Sequence, residues 1–243
     1  ADKPILVFDT MTREFSRDIE PMSGGFFDNY YMQMVENIRK FKGTSNSTTQ
    51  TQQKTIDVTG SFNQWSDVAV TYRDFTNGGV RRDAMGFGGE RYVNNSGRNE
   101  LIFSKVTQDA DNLYFYVQTA KDISEDRSTG SWMQLYLDTD NILDNNWNGY
   151  EYIINYRADS DNKTTVAAYK DGSFQEAGEI SYRVYGNQMM LAVPKSMLGI
   201  NSTELTLNFK WADSRETYET VEDFYSSGDT MPYGRFNYVF NAK

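Results

Sequence analysis

The chain contains no cysteine and no histidine. Disulfides, zinc sites built on Cys or His, thiol nucleophiles and every imidazole-based proton relay are thereby excluded. Any chemistry falls to carboxylates, Tyr, Lys or Ser. Long apolar runs are missing too: residues 113–117 are apolar or aromatic throughout, but such a run is far short of the ~20 residues that cross a bilayer. Nor is there a basic block. With 24 Lys and Arg against 34 Asp and Glu the net charge is −10 and the pI about 4.6, which argues against nucleic acid or an anionic membrane as partner and favours neutral or cationic ligands. Proline is scarce, at 4 of 243 residues. The first residue is Ala1, with no leader sequence, as expected of a processed mature chain or of a piece of a longer one.

Aromatic side chains are plentiful: 15 Phe, 17 Tyr and 4 Trp, in a chain that is 38% hydrophobic. A packed core is within reach and wholesale disorder is not. The first 43 residues differ from the rest. Pro4-Ile-Leu-Val-Phe8 reads as a buried strand, and Asp28 opens a helix with Tyr31, Met34, Val35, Ile38 and Phe41 on one stripe. Asp28 suits the N-cap, Arg39, Lys40 and Lys42 the C-terminal dipole, and Gly43 the stop. Residues 44–54, rich in Thr, Ser, Asn and Gln, read as a polar linker.

From Thr55 onward, short period-2 segments alternate with Asp, Asn and Gly clusters, the pattern of an antiparallel all-β domain. Strands are expected near 68–73, 100–107, 113–119, 132–138, 150–156, 164–169, 180–185, 189–193, 205–211 and 235–240, with one helical turn at 194–198. The fold expected is mainly β, a jelly-roll-like antiparallel β-sandwich over 55–243 with a short N-terminal strand–helix appendage. In 205–211, Leu205, Leu207, Phe209 and Trp211 face the core, and Thr206, Asn208 and Lys210 face solvent. Trp65, in a turn, is expected to plug one end of the sandwich.

One tetrapeptide recurs, at Asp109-Ala-Asp-Asn112, Asp138-Thr-Asp-Asn141 and Asp159-Ser-Asp-Asn162. Such a sequence suits a hairpin turn, because Asp and Asn side chains bond their own backbone. It also suits calcium, which takes six to eight oxygens. The second copy is the better cation candidate, with Asp138, Asp140 and Asp144 as first ligands and Asn145, Asn146, Asn148 and Glu151 close behind.

Ile56-Asp-Val58 leading to Trp65, residues 109–117, Trp132-Met-Gln-Leu-Tyr-Leu-Asp138-Thr-Asp-Asn141 and Trp147-Asn-Gly-Tyr150 together resemble the family 9 carbohydrate-binding modules and the related DOMON-like sandwiches. Ser96-Gly-Arg-Asn99, Trp211-Ala-Asp213 and Gly228-Asp-Thr-Met-Pro-Tyr-Gly-Arg-Phe-Asn-Tyr238 are similar to the C-terminal module of large bacterial polysaccharide-degrading proteins. Residues 1–43 resemble the last strand and helix of the glycoside-hydrolase-type barrel preceding such a module. The resemblance implies a calcium-containing sandwich that holds a glycan. It also implies an upstream domain in the same polypeptide and a location that is extracellular, on the cell surface or periplasmic.

Sugar binding needs flat aromatic faces and planar polar groups. Trp147, in an Asn-rich loop, and Trp132, sharing parity with Gln134 and Tyr136, are the candidate platforms. Arg98 and Asn99 fit the resemblance as polar contacts, although Arg98 equally suits a salt bridge to the acidic loops; Gln134, where the family carries an acidic residue, and Tyr233, near where it carries a late Trp, are further candidate contacts. The expected protein is a monomeric, non-catalytic module holding a neutral polysaccharide or oligosaccharide. A spacer module with no glycan is the alternative. A fragment of a carboxylate-dependent glycoside hydrolase, resting on Asp9, Glu14, Asp18 and Glu20, comes third.

Overall fold

The computed structural model describes residues 28–43, 48–74, 82–85, 91–127, 131–158, 162–216, 221 and 223–243. The strand expected at 4–8, the carboxylates Asp9, Glu14, Asp18 and Glu20, and the third Asp-Ser-Asp-Asn tetrapeptide lie wholly or partly outside them. The chain divides into two compact units, Ala1–Asn46 with Asp83–Val93, and Ser47–Arg82 with Asn94–Lys243. Residues 83–93 thus group with the N-terminal segment rather than with the expected 55–243 domain.

In the first unit, α1 (Asn29–Lys42) forms where the apolar stripe placed it. Gly43 ends it at φ +79°, a conformation open to glycine, and donates its N–H to Arg39 O at 2.8 Å. Asp28 precedes the helix without making the expected side-chain cap bond. Lys40 pairs with Glu36 one turn back at 2.8 Å. Strands β3 (Arg82–Met85) and β4 (Arg91–Asn94) make a separate two-stranded sheet, braced by Arg91 and Asp83 at 2.6 Å.

The second unit is the sandwich. Its strands are β1 (Thr49–Gln50), β2 (Tyr72–Arg73), β5 (Leu101–Gln108), β6 (Asn112–Thr119), β7 (Gln134–Asp138), β8 (Tyr152–Ile154), β9 (Lys163–Lys170), β10 (Ser173–Tyr185), β11 (Gln188–Pro194), β12 (Leu205–Asp213), β13 (Asp229–Met231) and β14 (Tyr238–Ala242). One sheet runs β1-β14-β12-β7-β8-β9-β10, and the other runs β10-β11-β6-β5-β2. Every pairing is antiparallel except β1 with β14. The long strand β10 belongs to both sheets: residues 173–181 pair with β9, and residues 182–185 pair with β11. A register shift between Glu176 and Gly178 lets it bend.

Inward residues of both sheets form one core, in which Leu101, Leu113, Phe115, Val117, Leu135, Leu137, Leu207, Phe209 and Trp211 are fully buried. Trp211 is core as expected and donates Nε1–H to Ser104 Oγ at 3.0 Å. Both sheets are covered on their outer faces as well. Trp65, Ile56, Val58 and Val68 pack on Tyr114, Tyr116 and Met190 outside the second sheet. Outside the first, Trp147, Tyr150 and Phe224 pack on Tyr136, Ile153 and Ala212.

That second outer layer corrects the expected polar face of β12. Lys210 is fully buried, its ammonium bonded to Pro232 O and lying 5.2 Å from the Phe224 ring centre. Alternation identifies two faces but not which of them acquires a cover. The expected linker 44–54 also needs correction, because Thr49–Gln50 pair with Asn241 and Ala242 of β14. Backbone pairing at a sheet edge requires no apolar side chain, so composition left this strand unmarked.

Candidate functional site

One hollow in the sandwich combines aromatic and charged walls. It is a cleft of about 520 Å³ lined by Asp122, Ile123, Glu125, Arg127, Trp132, Tyr182, Val184, Tyr185 and Gly186. The β10–β11 hairpin supplies one wall. Its two-residue turn places Gly186 at φ +57°, which glycine adopts at no steric cost. The segment 122–127 supplies the opposite wall and is bonded to the hairpin tip by Ile123 N–H to Gly186 O at 2.9 Å. Thr119 N–H and Asn187 O, 3.0 Å apart, close the base. Tyr185 is the exposed platform, with 71% of its surface open.

Three of the residues expected to bind sugar are bonded to this wall. Arg98 forks onto Asp213 with contacts of 3.2 and 3.1 Å and donates to the carbonyls of Asp126 at 2.5 Å and Ser131 at 2.8 Å. Asn99 Oδ1 accepts from Ser124 N–H at 2.9 Å, and Trp132 Nε1–H donates to Ser124 O at 2.7 Å. Arg98, Asn99 and Trp132 therefore hold the backbone at Ser124, Asp126 and Ser131 in place. The salt-bridge alternative for Arg98 is the observed one, with Asp213 of β12 as a partner. Asp213 is buried and also accepts the N–H groups of Asn99 and Met133, at 3.2 and 2.9 Å.

Trp132 does reach the cleft, but not by the expected parity. Met133 has φ +44°, and β7 starts only at Gln134. The kink is held by Asn155 Nδ2, which donates to the carbonyls of Trp132 and Met133 at 2.7 and 2.9 Å. Alternation cannot pass through a left-handed residue. Trp132 accordingly joins the main core while Gln134 and Tyr136 face the outer layer.

The other expected contacts lie elsewhere. Trp147 retains 8% of its surface and packs against Tyr136, Tyr150, Phe174 and Phe224, with the Arg215 guanidinium 5.1 Å from its ring. The predicted exposed indole is therefore a core residue, with no open face for a sugar. Gln134 is fully buried, accepting from Tyr136 O–H at 2.8 Å and donating to Tyr156 O at 3.3 Å. Tyr233 is half-buried, edge-on to Tyr225 at 5.1 Å. None of the three lines the cleft.

The acidic loop forms a second feature. Carboxylate oxygens of Asp138, Asp140 and Glu151 lie within 4.8 Å of one another, a group that could hold a metal ion. Asp144, the expected third ligand, sits exposed outside this group, and Glu151 takes its place. The loop curls by placing Asn141, Asn146 and Asn148 at φ +61°, +46° and +55°. That curl leaves Asp144 exposed and brings Glu151, just ahead of β8, close to Asp138. Asn145 Oδ1 is buried with no hydrogen-bond partner among the described residues, while its Nδ2 donates to Asp140 at 2.6 Å. Burial raises the Asp138 carboxyl and Asp140 adds to it, against hydrogen bonds from Asn208 and Asn141. Burial also raises Glu151, reinforced by the charges of Asp140 and Asp138. A divalent cation fits such a site by relieving crowded negative charge, and oxygen donors suit a hard ion.

Missing from the expected residues were Asp122, Glu125, Arg127, Tyr182 and Tyr185. Tyr185 carried the only available signal, an aromatic beside a Gly-Asn turn. No helix among the described residues is long and apolar enough to cross a membrane. Compared with known protein families, curated proteins and solved structures, the chain matches none.

Proposed function

We propose that this chain is a non-catalytic carbohydrate-binding module that holds a neutral glycan in the cleft between residues 122–127 and the β10–β11 hairpin. The observation that carries the reading is the pairing of an open Tyr185 face with Asp122 and Glu125 in one cleft of about 520 Å³. A phenol ring covers the C–H side of a pyranose, and carboxylates accept its hydroxyl protons. A volume of this size suits a few sugar rings. A net charge of −10 repels polyanions, which leaves neutral polysaccharides or oligosaccharides as partners.

Under the same reading the cation at Asp138, Asp140 and Glu151 is calcium, held structurally and away from the sugar. The module works outside the cytoplasm, as a monomer joined through its N-terminal unit to an upstream polysaccharide-degrading domain. The test is retention on insoluble neutral polysaccharides. Replacing Tyr185 by Ala should weaken retention about tenfold or more while leaving the melting temperature unchanged, because an exposed residue is worth little to stability. Retention unaffected by Tyr185→Ala would place binding elsewhere, and no retention by the parent chain would favour the spacer reading.

A further inference from the structure

The Trp132 ring is a second aromatic surface in the cleft, yet only 6% of the residue is exposed. What lies over it is the chain's own arginine: the Arg127 guanidinium carbon is 4.4 Å from the Trp132 ring centre and 5.9 Å from that of Tyr182. A spacing of 4.4 Å is one layer of stacked atoms. A pyranose on the same face would need that same layer, so guanidinium and sugar exclude each other there.

The indole itself is fixed. Its N–H is committed to Ser124 O at 2.7 Å, and the ring meets that of Tyr182 in a T-shaped contact at 5.8 Å between ring centres. Arg127 is the longer member of the pair, with more rotatable bonds than the indole. Asp122 and Glu125 line the same cleft and favour a cation within it.

We infer that Arg127 is a built-in cover of the Trp132 face, an internal stand-in that a stacking ligand must displace. This deepens the glycan reading and rests on it for the identity of the ligand. At rest the cleft offers one open platform, Tyr185. The second platform opens when the guanidinium swings aside. Affinity of the parent chain is lowered at least by what the cation–π contact contributes, a factor of about 3 to 30.

The experiment uses the full chain with Arg127→Ala and Arg127→Lys, and reads two quantities. The first is acrylamide quenching of tryptophan fluorescence. Trp65, Trp147 and Trp211 are buried at other places, so a change on replacing Arg127 reports on Trp132. Quenching should rise in Arg127→Ala and rise less in Arg127→Lys, since an ammonium lies over a ring less well than a guanidinium. The second is affinity for soluble β-1,4-linked oligomers of glucose, xylose and mannose, which should tighten about tenfold in Arg127→Ala at an unchanged melting temperature. Unchanged quenching overturns the proposal. Greater quenching with weaker sugar binding also overturns it, because Arg127 would then be a sugar contact. Greater quenching with no sugar bound by any variant leaves the cover standing and defeats the glycan reading instead.

Discussion

Arg215 is a guanidinium with no access to solvent, paired with Asp223 at 3.2 Å, donating to Tyr136 Oη at 2.7 Å and lying 4.3 Å from the Phe224 ring centre. Trp147 closes this cage, so truncating it removes a large buried ring and lets water reach a buried ion pair. Trp147→Ala should lower stability by about 3–5 kcal/mol and the melting temperature by about 10 °C, measured by thermal unfolding. A shift within experimental scatter would refute the packing assigned here. This residue shows where sequence reading stopped. Its neighbours in the chain, Asn145, Asn146 and Asn148, suggest an exposed loop, whereas its packing partners Phe174, Arg215 and Phe224 are far along the chain. Trp211 was legible because its partners' parity is written beside it. Arg98 was legible as a polar residue of consequence, but not as the brace behind a wall whose position depends on tertiary pairing.

Turns behave as small independent devices. Asp109, between β5 and β6, accepts the N–H groups of Asp111 and Asn112 at 2.9 and 2.8 Å, the hydroxyl of Tyr114 at 2.5 Å and that of Thr55 at 2.9 Å. Its partial burial alone would raise the carboxyl, but these bonds outweigh it and hold the pKa below the ordinary 3.8. A depressed folded-state pKa adds stability that is present above the unfolded value and lost as pH falls through the folded one. Asp109→Asn should therefore melt about 2–4 °C lower at pH 7, with the gap closing as pH falls below about 4. A gap independent of pH would mean that the charge contributes nothing. The Asp-x-Asp-Asn pattern was readable as a turn at this hairpin. At Asp138 the same motif, with Oδ1 accepting Asn141 N–H at 2.6 Å, is also one edge of the metal-competent group. The motif alone does not separate these uses, because Glu151 enters only through the strand that follows. Most strands followed from alternation. The first half of β10 did not, since Gln175, Glu176 and Gly178 lack an apolar face until β9 pairs with them.

For the sandwich as a body, the cation proposal has a global readout. An ion bound only to the folded state stabilises all of it, by about 2.7 kcal/mol at a hundredfold excess over Kd. Millimolar calcium should raise the melting temperature by about 5–10 °C over chelator, and Glu151→Gln should abolish the increment. Equal melting in calcium and chelator would count against a specific site. Strand β10 links the two regions, because the loop's strands β7 and β8 and the cleft's hairpin belong to sheets joined by its one continuous backbone.

The parallel pair β1–β14 has a mechanical consequence. Thr49 and Gln50 align with Asn241 and Ala242 and run in the same direction. Tension applied to the chain ahead of Thr49 and behind Ala242 drags the two strands in opposite senses along their length. Their hydrogen bonds are then loaded together, in shear, instead of opening one at a time as in a peeled hairpin. The load passes next into β14 and β12, paired over Leu205–Phe209. Resistance to pulling is governed by the unfolding rate rather than by equilibrium stability. A sandwich strung between two anchored segments would meet tension as shear on this pair.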